Sequence, residues 1–425
     1  MKVENKGGAL KILAELCRLL IGVVFIFSGF VKAVDPVGGA IKIGEYLASF
    51  GLDMLQPFTV LLSFNLSAIE FALGVCMLLG VYRRYVSFLV LAFMAFMTPL
   101  TLYLALFDPV SDCGCFGDAL VISNWETFFK NIVLSLAAIV TFIYNQRLFQ
   151  CFTFRVYWFV ALYAYLFGVG FAYYNYNHLP VIDFRPYKVG ANIPELMEIP
   201  EGAPQDEYKY TFVYEKDGVK KEFSLEDYPA NDSSWTFVDS KTELVKKGYQ
   251  PPVAAFNIYN GEGDDVTEEI IGNSGPVLLV APKLEEADDE QMDEINGVYD
   301  YALEHDIPFY CVTGSSPEAI DAWSDNTGAE YPFRMADEVL LKTIIRSNPG
   351  LVLLKGGTIL GKWHYNDIPA EEDVKAVMDR CLDGSKIKSK EDGGLATNLL
   401  TFTVPLLLVW MYDLLRFRRK RKEKK

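Results

Sequence analysis

The chain has 425 residues, 51% of them hydrophobic and 14% aromatic, with 55 acidic against 39 basic side chains and three histidines. That length allows two or three domains, and the composition is segregated: residues 177–396 hold 43 Asp and Glu against 20 Lys and Arg, a net of −23, while the rest is apolar and carries +7. An acidic surface of this size repels phosphate backbones and excludes nucleic acid as a partner.

A helix needs about 20 mostly apolar residues to cross the hydrocarbon core. Six stretches qualify: residues 10–34, 57–81, 85–107, 124–144, 156–174 and 395–415. The first is longer than a signal-peptide core and has no small-residue cleavage site before Lys32, so it reads as a retained span. Lys and Arg gather on alternate connections: Lys2, Lys6 and Lys11 before the first span, Arg83 and Arg84 after the second, Arg147 and Arg155 after the fourth, and RFRRKRKEKK after the sixth. The positive-inside rule assigns these groups to the cytoplasm. The expected protein is therefore multi-pass in the bacterial cytoplasmic (inner) membrane, with both termini inside and residues 35–56, the loop after the third span, and residues 176–394 outside. The aromatic run FAYYNYNH (171–178) fits an interfacial belt, with a ligand cage as the sharper alternative, and the basic tail fits a lipid-headgroup anchor.

In the outer region, residues 176–204 are proline-rich and non-periodic and read as an ordered strap. YKYTFVYEKDGVKKEFSL then alternates around Asp217-Gly218, which predicts two strands joined by a tight turn. From Gly275 strands and helices take turns: a strand at 276–281, an acidic helix at 286–305, a strand at 307–314, a helix at 317–326 begun by Ser316, YPFRMA, a helix at 338–346, and a final hairpin after Ser347-Asn348-Pro349-Gly350. This order resembles a thioredoxin fold, in which a proline, usually cis, precedes the third core strand; Pro349 occupies that place. Catalytic members of that family carry Cys-x-x-Cys after the first strand, where the helix start lowers the thiol pKa. Here the segment is APKLEEADDEQ, and Cys311 and Cys381 fall elsewhere, so both read as structural or incidental and dithiol exchange by this domain alone is not expected.

The chemistry-bearing motif is SDCGCFGDAL (111–120), which places Cys113 and Cys115 either side of Gly114 between the third and fourth spans. A disulfide needs Cα atoms about 4.4–6.8 Å apart, whereas two residues of extended chain reach roughly 6.6–7.2 Å. Closure requires a bend, and Gly114 supplies it without a Cβ penalty. A small strained ring is easily reduced, which suits an exchanging pair, and an extracytoplasmic site is oxidising enough to form it. Asp108, Asp112 and Asp118 oppose thiolate formation, partly offset by the start of the fourth span, where Ser123 or Asn124 can cap a helix whose dipole points at the loop. An inert disulfide in a Gly-rich turn remains the competing reading. Tetrahedral zinc wants four Cys or His ligands and finds two, a hydrolase lacks its base, and no phosphate-binding glycine motif follows a strand.

Glu70 lies mid-depth in the second span and Arg18 at comparable depth in the first. Ionisable groups there face the bundle interior with a partner, so an Arg18–Glu70 pair is expected, either as a packing clamp or as a proton or quinone-headgroup site.

Residues 18–147 resemble the DoxX family, and within it the MauE-like redox-associated branch. The match is carried by FIFSGFVKAVDPVGGAIKIGEYL (25–47), AIEFALGVCMLLGVYRRY (68–85) and DCGCFGD (112–118). The resemblance implies a four-helix membrane bundle, matches the positions of Arg18 and Glu70, and implies a part in extracytoplasmic thiol–disulfide chemistry. Bacteroides-type DoxX proteins with an appended thioredoxin-like domain resemble the whole chain.

The expected fold is thus multi-domain: an all-α transmembrane bundle plus an extracytoplasmic α/β thioredoxin-like domain lacking Cys-x-x-Cys. Its segments are residues 1–147 (four-helix membrane domain), 148–175 (fifth span), 176–274 (strap and hairpin region), 275–394 (thioredoxin-like) and 395–425 (sixth span and tail). The leading functional expectation is a membrane thiol–disulfide oxidoreductase in which Cys113 and Cys115 exchange with a periplasmic redox or client protein, or with a quinone. The alternative is a non-catalytic assembly scaffold whose thioredoxin-like domain docks partners. Transport ranks below both, because the spans show a single mid-depth carboxylate and no inverted repeat of broken helices.

Overall fold

The computed structural model describes residues 2–418 except 111, 217, 226, 230–233, 247, 273–274, 371–372 and 378–390. Cys381, Asp217 of the expected hairpin turn, and residues 419–425 of the basic tail lie outside the described residues.

Long, predominantly apolar runs form the helices α1 (Lys2–Val34), α3 (Thr59–Leu79), α4 (Arg83–Phe107), α5 (Asn124–Ile143) and α6 (Tyr157–Asn177). Among the described residues five helices are long and apolar enough to cross a membrane: Asp53–Leu79, Arg83–Phe107, Asn124–Ile143, Phe154–Asn177 and Gly394–Arg416. The chain is a multi-pass membrane protein. α1, which contains the expected first span, packs along α3, α5 and α6, and α4 lies on α5. Their shared core includes Ile21, Phe25, Met77, Met94, Leu134, Ala138 and Val160. The α1–α3 contact brings backbone against backbone: a Cβ on Gly29 would stand 2.4 Å from Phe71 N, and one on Gly74 2.6 Å from Ile26 N. Small residues permit such approach, and the close packing it allows holds helices together in lipid.

Residues 35–56, expected only as an outer connection, contain the helix α2 (Pro36–Ser49). Asp35 starts it by accepting the Gly38 N–H at 2.8 Å, and Pro36 fills the first helical position, where its missing N–H costs nothing.

Beyond α6 the strap crosses to the α/β domain. It contains the short helix α7 (Ile193–Met197), and it extends the domain sheet: Gly190 N donates to Ile359 O at 2.7 Å and Ile193 N to Gly357 O at 2.9 Å. A separate sheet follows, in the order β2-β1-β3, from β1 (Glu207–Lys216), β2 (Val219–Ser224) and β3 (Thr236–Lys246). Two of these strands were expected and the third was not. Alternation along β1 gathers Tyr208, Tyr210, Phe212 and Tyr214 on one face, where Tyr214 meets Phe223 and Phe237 at ring separations of 5.9 and 5.7 Å.

After α8 (Thr267–Gly272) comes the thioredoxin-like unit: β4 (Val277–Ala281), α9 (Met292–Glu304), β5 (Phe309–Thr313), α10 (Pro317–Thr327), β6 (Phe333–Met335), α11 (Glu338–Ile344), β7 (Gly350–Lys355) and β8 (Thr358–His364). Its sheet runs β6-β5-β4-β7-β8, with β4, β5 and β6 parallel and β7 and β8 antiparallel. The Asn348–Pro349 bond is cis, as expected from its place before β7. β4 reads as an unbroken apolar run because both faces are covered: Val277 and Leu279 face α9 and Trp323, while Leu278 and Val280 face Leu341, Ile344 and the strap residue Ile193. α9 begins six residues later than the pattern predicts. Asp288 N–H donates to Asn348 O at 2.9 Å, which holds the chain extended ahead of the helix. The helix α12 (Glu391–Asp413) returns to the bundle, where the Asp413 carboxylate accepts the Thr153 N–H at 2.9 Å.

Candidate functional site

The cysteine turn leaves α4 at Asp108 and ends where Ser123 caps α5 with a reciprocal Glu126 contact. Cys113 and Cys115 are disulfide-bonded, with Cα atoms 5.5 Å apart. Gly114 sits at φ +63°, the left-handed region that a side chain enters only at a cost, so the bend assigned to it from the sequence is the one the backbone makes. Two hydroxyls pin the turn. Tyr46 Oη donates to Cys113 O at 2.6 Å from α2, and Ser28 Oγ donates to Cys115 O at 2.8 Å from α1. Cys113 is buried with Leu104 and Val110, and Cys115 is half-buried.

The three aspartates expected to oppose thiolate chemistry each have a partner. Asp112 accepts the Gly114 N–H at 2.8 Å and pairs with Lys42 Nζ at 3.1 Å. Asp108 accepts from Asn124 Nδ2 at 2.8 Å, and Asp118 lies 3.6 Å from Arg346 Nη2. Burial opposes the charged form of Lys42, but hydrogen bonds to Glu45 and Asp112 outweigh it and raise its pKa. The Tyr46 phenol is pushed up, by burial first and then by Asp112, so it stays a neutral donor.

Glu70 is buried, as its depth required, but its partner is not Arg18. Glu70 Oε1 pairs with Lys32 Nζ at 2.7 Å, and Oε2 receives Ser28 Oγ at 2.6 Å. Arg18 instead bonds Glu15 at 2.6 Å and the carbonyls of Met77, at 3.1 Å, and Leu78. The two helices run in opposite directions, so residues early in α1 lie level with the end of α3. Met77 is seven residues beyond Glu70, a rise of roughly 10 Å, and Ser28 and Lys32 are the α1 residues at the depth of Glu70. Ser28 has one proton and two acceptors, the Glu70 carboxylate and Cys115 O. The buried carboxylate is thereby linked through a single hydroxyl to the cysteine turn.

The thioredoxin-like domain reaches the same end of the bundle. Arg346, just past α11, donates to Asp35 from Nε at 3.0 Å and from Nη2 at 2.9 Å. Burial works against the Asp35 carboxylate, yet Arg346 and then Arg185 hold its pKa below the usual range; burial, followed by Asp35, raises that of Asp118. Within the domain Asp183 of the strap pairs with Lys362 at 2.8 Å and Arg185 at 3.0 Å. Cys311 is fully buried in β5, which pushes its thiol up. Among the described residues no three His, Cys, Asp or Glu side chains come together as metal ligands.

Sequence reasoning missed Ser28, Lys32, Asp35, Lys42, Tyr46 and Arg346. The Asp35-Pro36 pair was a readable helix start, and Lys42 and Tyr46 follow it at helical spacing; Arg346 carried no local signal.

Residues 10–144 match the family model of the methylamine utilisation protein MauE. The membrane part is similar to MauE. That match covers about a third of the chain and includes Ser28, Lys32, Glu70 and both cysteines of the turn. Residues 208–247, which contain most of the aromatic three-stranded sheet, match a domain of unknown function, DUF8463. No curated protein matches the chain. Solved structures similar to it include two of low identity. One, from Bacteroides thetaiotaomicron and provisionally named a protein disulfide isomerase, is 18% identical over 30% of this chain and 86% of that one, with a TM-score of 0.25. The other, a thioredoxin-like protein from Aeropyrum pernix, is 14% identical over 29% and 88%, with a TM-score of 0.24.

Proposed function

We propose that this chain is a membrane thiol–disulfide redox protein in which Cys113 and Cys115 cycle between disulfide and dithiol at the extracytoplasmic face of the inner membrane. The observation that carries the reading is the pinned turn: two cysteines with Cα atoms 5.5 Å apart, their two carbonyls held by hydroxyls from α2 and α1. A pair held in bonding range closes and opens without rearranging the bundle. The DoxX-type and MauE-type likeness of residues 18–147 supports the same reading, and the Lys and Arg pattern supports the outer placement. In the oxidising direction two thiols lose two electrons and two protons as the S–S bond forms. The acceptor is either a partner-protein disulfide, which opens to two thiols, or a membrane quinone, which becomes the quinol.

A second reading, an assembly scaffold with an inert turn, draws on the deep burial of Cys113 and on the lack of cysteine after β4. One experiment separates them. Membranes are quenched in acid and alkylated, and the redox state of the 113–115 peptide is read by mass spectrometry in cells with respiration running or blocked. A mixture that shifts with respiratory state supports cycling, and an unchanging disulfide sinks it. Labelling of the reduced pair with a membrane-impermeant maleimide tests the side, and exogenous quinone added to reduced membranes tests the acceptor.

A further inference from the structure

Asp35 is where three parts of the molecule meet. Its carboxylate starts α2 through the Gly38 N–H and takes two guanidinium bonds from Arg346. Arg346 is fixed from its own side, because Nη1 donates to Lys342 O at 2.6 Å in α11. The guanidinium lies directly on the first turn of α2: a Cβ on Gly38 would come within 3.0 Å of Arg346 Nη2. Further along α2, Lys42 grips Asp112 and Tyr46 grips Cys113 O. On the other flank Arg346 Nη2 stands 3.6 Å from Asp118, three residues after Cys115. One buried guanidinium of the thioredoxin-like domain therefore acts on both arms of the cysteine turn, through α2 on the Cys113 side and through Asp118 on the Cys115 side. Bidentate arginine to carboxylate is a directional contact that lysine does not reproduce.

We infer that the thioredoxin-like domain, with no cysteine where such domains carry their dithiol, serves the membrane pair instead: Arg346 is a positioning residue that holds α2 and the Asp118 turn against Cys113 and Cys115, and so sets the balance between disulfide and dithiol. This rests on the proposed cycling of the pair. Holding two sulfurs in bonding range raises their effective concentration, and release lets the open dithiol spread, which favours reduction. The role differs from partner docking, because it acts on the chain's own site.

The test uses the full-length protein in membranes, equilibrated in glutathione buffers of graded potential, quenched in acid, with the 113–115 peptide read by mass spectrometry. Arg346→Ala is expected to shift the thiol–disulfide equilibrium constant about tenfold toward dithiol, which is ~30 mV for this two-electron couple. Arg346→Lys, which keeps the charge and loses the fork, is expected between Ala and wild type. Lys241→Ala, on the exposed three-stranded sheet, is expected to titrate as wild type. An Arg346→Ala titration superimposable on wild type overturns this inference and leaves the cycling of the pair standing, whereas a wild-type pair that does not titrate at all overturns both. Should Arg346→Ala fail to accumulate, Asp118→Asn carries the test, because that side chain is half exposed: a smaller shift in the same direction supports the inference, and no shift overturns it.

Discussion

The Lys32–Glu70 pair makes the sharpest quantitative claim about the membrane domain. Its side chains are 11% and 3% exposed, with a 2.7 Å contact, so solvent screens neither charge strongly. Removing one partner of such a pair strands the other, at a cost of about 3–5 kcal/mol. Glu70→Gln leaves the Lys32 ammonium without its counter-ion, and Lys32→Met leaves the carboxylate with the Ser28 hydroxyl, at 2.6 Å, as its hydrogen-bond donor. Removing both charges relieves both strandings, since replacing a buried pair with apolar groups is often near neutral. The double variant should therefore lie closer to wild type than either single one. Denaturant unfolding of the purified protein in detergent micelles, with all four members of the cycle, gives the coupling directly. Losses that add within about 0.5 kcal/mol would mean the two residues do not share one interaction, and the assignment would be wrong. The corresponding cycle for Arg18 and Glu70 should be additive, because their contacts are separated by roughly 10 Å along α3.

Gly114→Ala should destabilise the bent turn by about 1–2 kcal/mol through its left-handed backbone, and the added Cβ would also lie 3.1 Å from Lys42 Cγ; a lower disulfide fraction than wild type in the same redox buffer reports it. His364 is buried at the end of β8, and burial, against the pull of Asp367, lowers its pKa from 6.5 to about 4. The folded state then binds fewer protons than the unfolded chain between those values, so its contribution is intact above pH 6.5 and declines as pH falls toward 4, by about 3 kcal/mol. Thermal unfolding across that range should show the loss, and His364→Asn should flatten it. Leu279→Ala in β4 should cost about 2–5 kcal/mol by opening a cavity between the sheet and α9, read as a lowered midpoint of domain unfolding.

The thioredoxin-like domain was legible because its strands are short apolar runs bounded by turn residues, its helices begin at caps such as Ser316, and Pro349 marked the start of β7. The spans were legible from length alone. What escaped was lateral. β3 follows a polar stretch that hides its alternation with β1. α2 contains three glycines, which weaken its helical pattern, yet it forms because Asp35 and Pro36 start it and because Tyr46 and Lys42 lie on the cysteine turn. The depth argument found that Glu70 needed a partner but assigned Arg18, since a linear count of residues from the membrane edge does not say which antiparallel neighbour stands opposite. Arg346 was invisible for a related reason: 311 residues separate it from Asp35.

The glycine-lined contact between α1 and α3 has a consequence for motion. Two backbones that approach this closely at Gly29 and Gly74 leave no room for a side chain at those two points, so sliding or rolling of either helix meets backbone there. They form the keel of the molecule. If the cysteine ring opens as proposed, the displacement would fall on the lighter rigging around them, on α2 and the chain between α4 and α5, with Ser28 and Glu70 carried on the keel as its reference.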